Sequence, residues 1–94
     1  MSKKFDTKDK HHYKKYNTNT QYYKNVPLKL IVYTENHFAR LRAKRYNINN
    51  TIQNVWIPNC YLEPDGTIKS GVNIDFIFYK SKRQLELAGI TFQP

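Results

Sequence analysis

The sequence predicts an α+β fold: a small antiparallel sheet closed by a carboxyl-terminal helix and preceded by a disordered basic tail. Apolar and polar residues alternate in short segments between residues 28 and 58, which is typical of strands. An apolar stripe recurs at helical spacing between about residues 73 and 88. Residues 1–25 contain no Ala, Val, Ile, Leu, Trp or Cys. These patterns divide the 94-residue chain into a tail, residues 1–26, and a single small domain, residues 27–94.

The chain is strongly basic. Sixteen Lys and Arg residues against seven Asp and Glu give a net charge of +9, which favours a polyanionic partner, most commonly nucleic acid. No stretch approaches the ~18 consecutive apolar residues of a membrane-spanning helix. The amino terminus is polar where a signal peptide would be apolar. We therefore predict a cytoplasmic protein with no membrane partner.

The tail combines positive charge with aromatic rings. It carries seven Lys against two Asp, and it has too little apolar area to offset the entropy of ordering, so alone it is predicted to be disordered. Rings beside cations suit single-stranded nucleic acid, whose bases stack while its phosphates pair with ammonium groups. The alternative is a tail that only aids solubility. The binding candidates here are Tyr13, Lys14, Lys15 and Tyr16.

Three strands are predicted in the domain, over about residues 28–34, 38–46 and 51–58. Residues 47–50, with the sequence NINN, form a short turn-rich link that predicts an antiparallel hairpin between the second and third strands. Pro58 indicates that the third strand ends there or lies at an edge, because proline has no N–H to donate. Pro64 and Gly66 predict a turn over residues 62–66.

The second strand carries a cluster of four positive charges, and its geometry decides the predicted binding surface. As a strand, it alternates a small apolar face with a basic face that has an aromatic residue at each end. As a helix capped by Asn36, its apolar stripe would be broken by arginines, and the tail would become the main candidate. The neighbouring segments favour the strand. The candidates are Phe38, Arg40, Arg42, Lys44 and Tyr46 on the basic face, together with Arg45.

The carboxyl-terminal segment predicts a helix over about residues 73–88 that ends before Gly89, a residue suited to the C′ position. Alternation over residues 72–79 leaves a strand as the other interpretation of its first half. The exposed side of the helix is a second basic patch. The apolar stripe consists of Ile74, Ile77, Phe78, Ser81, Leu85 and Ala88, and the basic patch consists of Lys80, Lys82 and Arg83.

No catalytic, cofactor or metal signature is evident in the sequence. The three glycines are isolated, so none forms a phosphate-cradling loop. Cys60 is the only cysteine, which leaves too few sulfur ligands for structural zinc. Trp56 is predicted to anchor the core because its neighbours are β-branched, with a stacking platform as the alternative. We expect a protein that is not an enzyme and needs no cofactor.

The segment NVWIPNCYLEPDG, followed by a helix ending in LAGI, resembles small uncharacterised phage and mobile-element proteins. Those proteins carry a strand of the form W-[IL]-P-[KN] ahead of a short closing helix. The resemblance covers about residues 51–90, and this chain departs from it at Asn59-Cys60-Tyr61, where a small polar continuation is usual. The resemblance implies a mobile-element origin and no activity.

Three functions fit these observations. The first is binding of RNA or single-stranded nucleic acid, since no helix-turn-helix or zinc finger that would read duplex DNA is evident. The second is inhibition of a host nucleic-acid enzyme by a mobile-element protein of the anti-restriction or anti-CRISPR type. The third is a ribosome-associated or structural role in which charge only aids assembly.

Overall fold

The structure, a computed structural model, describes residues 16–32 and 42–94 and confirms the predicted fold class. In this part of the chain, four antiparallel strands form one sheet in the order β1-β2-β3-β4. The strands are β1 (Gln21–Tyr23), β2 (Val26–Leu30), β3 (Ala43–Ile48) and β4 (Asn54–Pro58). A 3-10 turn over Asn59–Tyr61 follows, and then two short helices, α1 (Asp75–Lys80) and α2 (Lys82–Leu87).

The strand boundaries differ from the predicted ones. The predicted strand 28–34 is β2, which begins two residues earlier, since Val26 pairs with Tyr23, and ends at Leu30. The predicted strand 38–46 is β3 within the described residues, and it continues to Ile48, whose N–H donates to the carbonyl of Gln53 at 2.8 Å. The predicted strand 51–58 is β4 and starts at Asn54, because residues 51–53 belong to the loop.

Strand β1 lies in the segment that the sequence assigned to the tail, so the folded part begins before residue 27. Tyr23 is buried, and its ring stacks on Phe78 with centroids 5.0 Å apart. Lys24 has a positive φ of 54° in the tight turn between β1 and β2. An aromatic ring buries as much apolar area as a large aliphatic side chain. Tyrosine therefore orders a segment that the lack of aliphatic residues had predicted to be disordered.

The predicted hairpin between β3 and β4 is present. Asn49 and Asn50 both have positive φ, 52° and 59°, and the N–H of Thr51 donates to the carbonyl of Ile48 at 3.1 Å. Two consecutive positive φ angles characterise the type I′ turn, and asparagine tolerates this conformation better than most residues. The sequence NINN thus encodes the turn directly.

The predicted turn over residues 62–66 is also present. The N–H of Gly66 donates to the carbonyl of Glu63 at 2.9 Å, and Gly66 has a positive φ of 91°. The chain then returns beside itself, because Leu62 and Ile68 form an isolated antiparallel bridge. This loop covers one end of the core with Leu62, which is buried.

Two helices replace the single helix predicted over residues 73–88. Ser81 ends one and begins the other with φ −99° and ψ 22°, outside the helical range. The predicted apolar stripe is nevertheless correct, because all its members except half-buried Ser81 lie in the core. Gly89 has a φ of 81°, and the N–H of Ile90 donates to the carbonyl of Leu85 at 2.9 Å, which together form a Schellman cap.

The helices and the sheet enclose one core. Every second residue of each strand points to the inner face of the sheet, and the apolar ones among them enter the core. The helices contribute the residues of the apolar stripe. The opposite face of the sheet is exposed at Tyr22 and Trp56. Buried strand residues are Tyr23, Val26, Leu28, Leu30, Tyr46, Ile48, Val55 and Ile57.

Candidate nucleic-acid interface

The outer face of the sheet, here called the open face, is formed by the strand residues that point away from the core. An exposed aromatic ring stands at each side of it: Tyr22 on β1 is 66% exposed and Trp56 on β4 is 44% exposed. Between them, Lys29 on β2 pairs in register with Asn47 on β3. The members of the open face are Tyr22, Pro27, Lys29, Ala43, Arg45, Asn47, Asn54, Trp56 and Pro58.

Arg45 and Trp56 form a cross-strand pair at the edge of the open face. The two residues are directly opposite in the register of β3 and β4. The guanidinium carbon of Arg45 lies 5.6 Å from the centroid of the indole ring, a cation–π arrangement. Arginine and tryptophan planes both stack on nucleobases, and arginine also pairs with phosphate. The pair therefore presents stacking and positive charge at one place.

Every charged residue in the four described strands is basic. Two of the described carboxylates are held in local contacts elsewhere. The N–H of Thr67 lowers the pKa of Asp65 by donating to its side chain at 2.9 Å. Lys24 lowers the pKa of Asp75 by donating to it at 2.9 Å. The described strands therefore contribute positive charge and no carboxylate to the open face.

A polar cleft of about 260 Å³ lies on the open face beside Tyr22. Lys29 and Asn47 line it together with residues of the β3–β4 turn. The side-chain amide nitrogen of Asn47 donates to the carbonyl of Thr51, which orients the Asn47 side chain at the cleft. The cleft thus offers a stacking ring, a cation and an amide group to one ligand.

The prediction of which side of the basic strand faces outward is wrong for β3. Tyr46, expected beside the charges as a stacking ring, is fully buried, and its hydroxyl donates to the carbonyl of Gly66 at 2.6 Å. Lys44 lies on the same side of β3 as Tyr46 and is half-buried, with its Nζ 3.1 Å from Oδ1 of Asn59. Arg45, assigned to neither predicted face, is the β3 cation on the open face. The alternation was correct, but the core lies on the other side of the strand.

Trp56 is exposed, so the prediction that it anchors the core is wrong. The reason is visible in the sequence itself. Val55 and Ile57 take the two inward positions of β4 and are both buried, which forces the residue between them outward. Period-two alternation was the signal that would have placed Trp56 on the open face, and the β-branched composition around it was misleading.

The remaining predicted binding residues are spread over the molecule. Arg42 is exposed immediately before β3, and Tyr16 is half-buried against the core. The second basic patch is exposed on the helices, as Lys80 on α1 and as Lys82 and Arg83 on α2. The other predicted residues lie outside the described part of the chain: Tyr13, Lys14, Lys15, Phe38 and Arg40.

Within residues 16–32 and 42–94, no group of three or more His, Cys, Asp and Glu side chains is placed to hold a metal ion. Cys60 is exposed as a free thiol. In the same part of the chain, no helix has the length and apolar character needed to cross a bilayer.

No known protein family matches this sequence, and comparison with characterised proteins and with solved structures found no significant similarity. The resemblance to phage and mobile-element proteins therefore stays a prediction.

Proposed function

We propose that this protein binds RNA or single-stranded nucleic acid, without catalysis, through the open face of its sheet. The observation that carries the proposal is the combination on that face of two exposed rings, Tyr22 and Trp56, with two cations, Lys29 and Arg45. The strands, as far as the structure describes them, bear no carboxylate. Stacking and phosphate pairing on a sheet surface are how several RNA-binding folds hold single strands.

A single strand fits this face better than a duplex does. The bases of a duplex stack on one another and are closed to protein rings, whereas the bases of a single strand can be splayed onto Tyr22 and Trp56. The two described helices pack against the inner side of the sheet, so neither projects from the open face as a helix that enters a major groove usually does. We further propose that the protein acts in the cytoplasm and derives from a mobile element, the origin that the sequence resemblance implies.

The single tryptophan of the chain provides the test, because it stands in the proposed site. Titration with a uridine strand of about 12 nucleotides, within the ~4–16 that such sites cover, should quench Trp56 fluorescence. A duplex of equal length should quench it less. Lys29→Ala and Arg45→Ala should each lower the dependence of log affinity on log salt by about 0.7 for a single strand.

Lys69→Ala is the matched control, since Lys69 is exposed and lies outside the strands. It removes the same charge and should leave the salt dependence nearly unchanged. If the Lys29→Ala/Arg45→Ala double variant bound the uridine strand as tightly as the wild type at every salt concentration, the open face would not be the binding surface. A protein partner that co-purifies and survives nuclease treatment would favour the inhibitor hypothesis instead.

A further inference from the structure

A groove of about 370 Å³ continues from the open face around the β4 edge of the sheet. One wall is β4, and the other is formed by α1 and the start of α2. Trp56 belongs both to the open face and to this groove, so the two surfaces are continuous. We call it the edge groove, and it is lined by Asn54, Val55, Trp56, Pro58, Phe76, Ile77, Lys80, Ser81 and Gln84.

The edge groove repeats the ring-and-cation arrangement of the open face. Phe76 is 45% exposed, almost the same fraction as Trp56 at 44%. Nζ of Lys80 lies 5.9 Å from the centroid of the Phe76 ring, as the guanidinium of Arg45 lies 5.6 Å from that of Trp56. Two exposed rings, each with its own cation, therefore face one groove from opposite walls.

The ring of Phe76 is held in place from the other side. Tyr61 meets it edge to face, with centroids 6.0 Å apart and an interplanar angle of 65°. A ring that is fixed before binding loses little conformational freedom when a base stacks on it. Phe76 is thus a preorganised platform, although it contributes less to the core than its neighbours Ile77 and Phe78, which are buried.

The charge of the edge groove indicates its occupant. Among the described residues that line it, Lys80 is the only charged one, and none is a carboxylate. The nearest acid along the chain, Asp75, is engaged with Lys24 and Tyr23. A polyanion with planar groups can pair its charge with Lys80 and stack on the exposed rings. An aliphatic peptide could do neither.

We infer that the nucleic-acid strand bound on the open face continues over β4 into the edge groove, where a base stacks on Phe76 and a phosphate pairs with Lys80. This inference rests on the proposed function. It requires a flexible single strand, because a duplex cannot place successive bases on a sheet face and around its edge. It also requires a minimum length, since a strand that only spans the open face does not reach Phe76 and Lys80.

A length series of uridine strands, read by Trp56 fluorescence, tests the inference. Phe76→Ala should weaken binding of a strand of about 12 nucleotides by roughly tenfold, the usual effect of removing one stacked base. The same variant should leave a strand of about 4 nucleotides nearly unaffected. Phe76→Leu keeps an apolar side chain against Tyr61 and should weaken binding equally, which separates a defect in stacking from a defect in folding.

Tyr79→Ala is the control, because Tyr79 is a 58% exposed ring on the same helix that lies outside the edge groove and meets Phe92 instead. It should not change affinity at either length. Light-induced cross-linking of a strand containing 5-iodouridine should attach it to the peptide bearing Phe76.

The outcomes separate the two proposals. Full affinity of Phe76→Ala and Phe76→Leu for the long strand, with no cross-link at Phe76, would overturn the edge-groove path while leaving binding on the open face intact. If no strand of any length quenched Trp56 in the wild type, both proposals would fall together.

Discussion

Gly66 is the residue at which the sheet and the loop after β4 converge. Its carbonyl accepts hydrogen bonds from the Tyr46 hydroxyl at 2.6 Å and from Nε2 of Gln21 at 3.0 Å. Burial raises the pKa of the Tyr46 hydroxyl, so that group stays a neutral donor across the physiological range. A buried tyrosine is tolerated in this core because its one polar group has a partner.

We predict that Gly66→Ala destabilises the protein by about 2–4 kcal/mol, the sum of overpacking and a strained φ. A Cβ at this position would lie 2.9 Å from Cδ2 of Leu30 and 3.4 Å from the Tyr46 hydroxyl, and the φ of 91° disfavours any side chain. Urea denaturation measures the change in unfolding free energy.

Gly71→Ala is the matched comparison. Gly71 also has a positive φ, 79°, but a Cβ there meets no atom within 4 Å. Gly71→Ala should lower the unfolding free energy by about 1–2 kcal/mol, from backbone strain alone. Equal destabilisation by the two substitutions would show that the close approach of Leu30 is not important.

Among the secondary-structure elements, the β1–β2 turn and the start of α1 are joined by a small polar cluster. The Tyr23 hydroxyl donates to Oδ1 of Asp75 at 2.5 Å and accepts from the N–H of Ile74 at 3.0 Å. Nζ of Lys24 lies 2.8 Å from Oδ1 of Asp75. Helices as short as α1 are not stable alone, so contacts of this kind, together with the buried stripe, hold α1 against the sheet.

The cluster predicts a stability that depends on pH. Hydrogen bonds from Lys24 and from Tyr23 hold the pKa of Asp75 below its ordinary value of about 3.9. A carboxylate with a lowered folded-state pKa stabilises the protein above its unfolded pKa, and this contribution disappears as pH falls through the folded value. Asp75→Asn should therefore lower the melting temperature at pH 7, with a difference from the wild type that shrinks below about pH 4.

Lys24→Met removes the main donor to Asp75 and should reproduce part of that effect. Lys69→Met removes an exposed lysine elsewhere and should not alter the pH profile. A difference between wild type and Asp75→Asn that stayed constant from about pH 7 to about pH 2 would contradict a role for the ionised carboxylate.

At the scale of the whole molecule, residues 1–15 form a strongly basic amino-terminal segment. Among the described residues, the core and the partly buried residues packed on it begin at Tyr16. Six of the sixteen basic residues precede Tyr16: Lys3, Lys4, Lys8, Lys10, Lys14 and Lys15.

We predict that a chain beginning at Tyr16 keeps the melting temperature of the full chain but binds single strands with a smaller salt dependence. The slope of log affinity against log salt should fall by about 0.7 for each phosphate that residues 1–15 would otherwise neutralise. Thermal unfolding and salt-dependent titration measure the two effects.

A variant of the full chain with Phe5→Ser and Tyr13→Ser distinguishes the contribution of the aromatic rings to binding from that of the positive charge. It keeps all lysines, so its salt dependence should match the wild type while its affinity falls. An unchanged salt slope after removal of residues 1–15 would show that this segment does not contact phosphate.

Local chemistry along the chain was enough to predict the fold class, the β3–β4 hairpin and the apolar stripe of the helices. The hairpin depends on asparagine at positive φ, and the stripe depends on apolar side chains at helical spacing from Ile74 to Ala88. Net positive charge follows from composition in the same way. Patterns of this kind can be recognised without knowledge of what packs against them.

The buried face of each strand, in contrast, became known only from the three-dimensional packing. Alternation gives a strand two faces, but the position of the helices determines which of them becomes the core. Packing placed Tyr46 inward and Arg45 outward, and the register of β3 and β4 set Trp56 beside Arg45. The addition of β1 depended likewise on distant partners, because the ring of Tyr23 stacks on Phe78, far along the chain. The candidate interface is therefore a product of long-range packing, which no short stretch of sequence specifies.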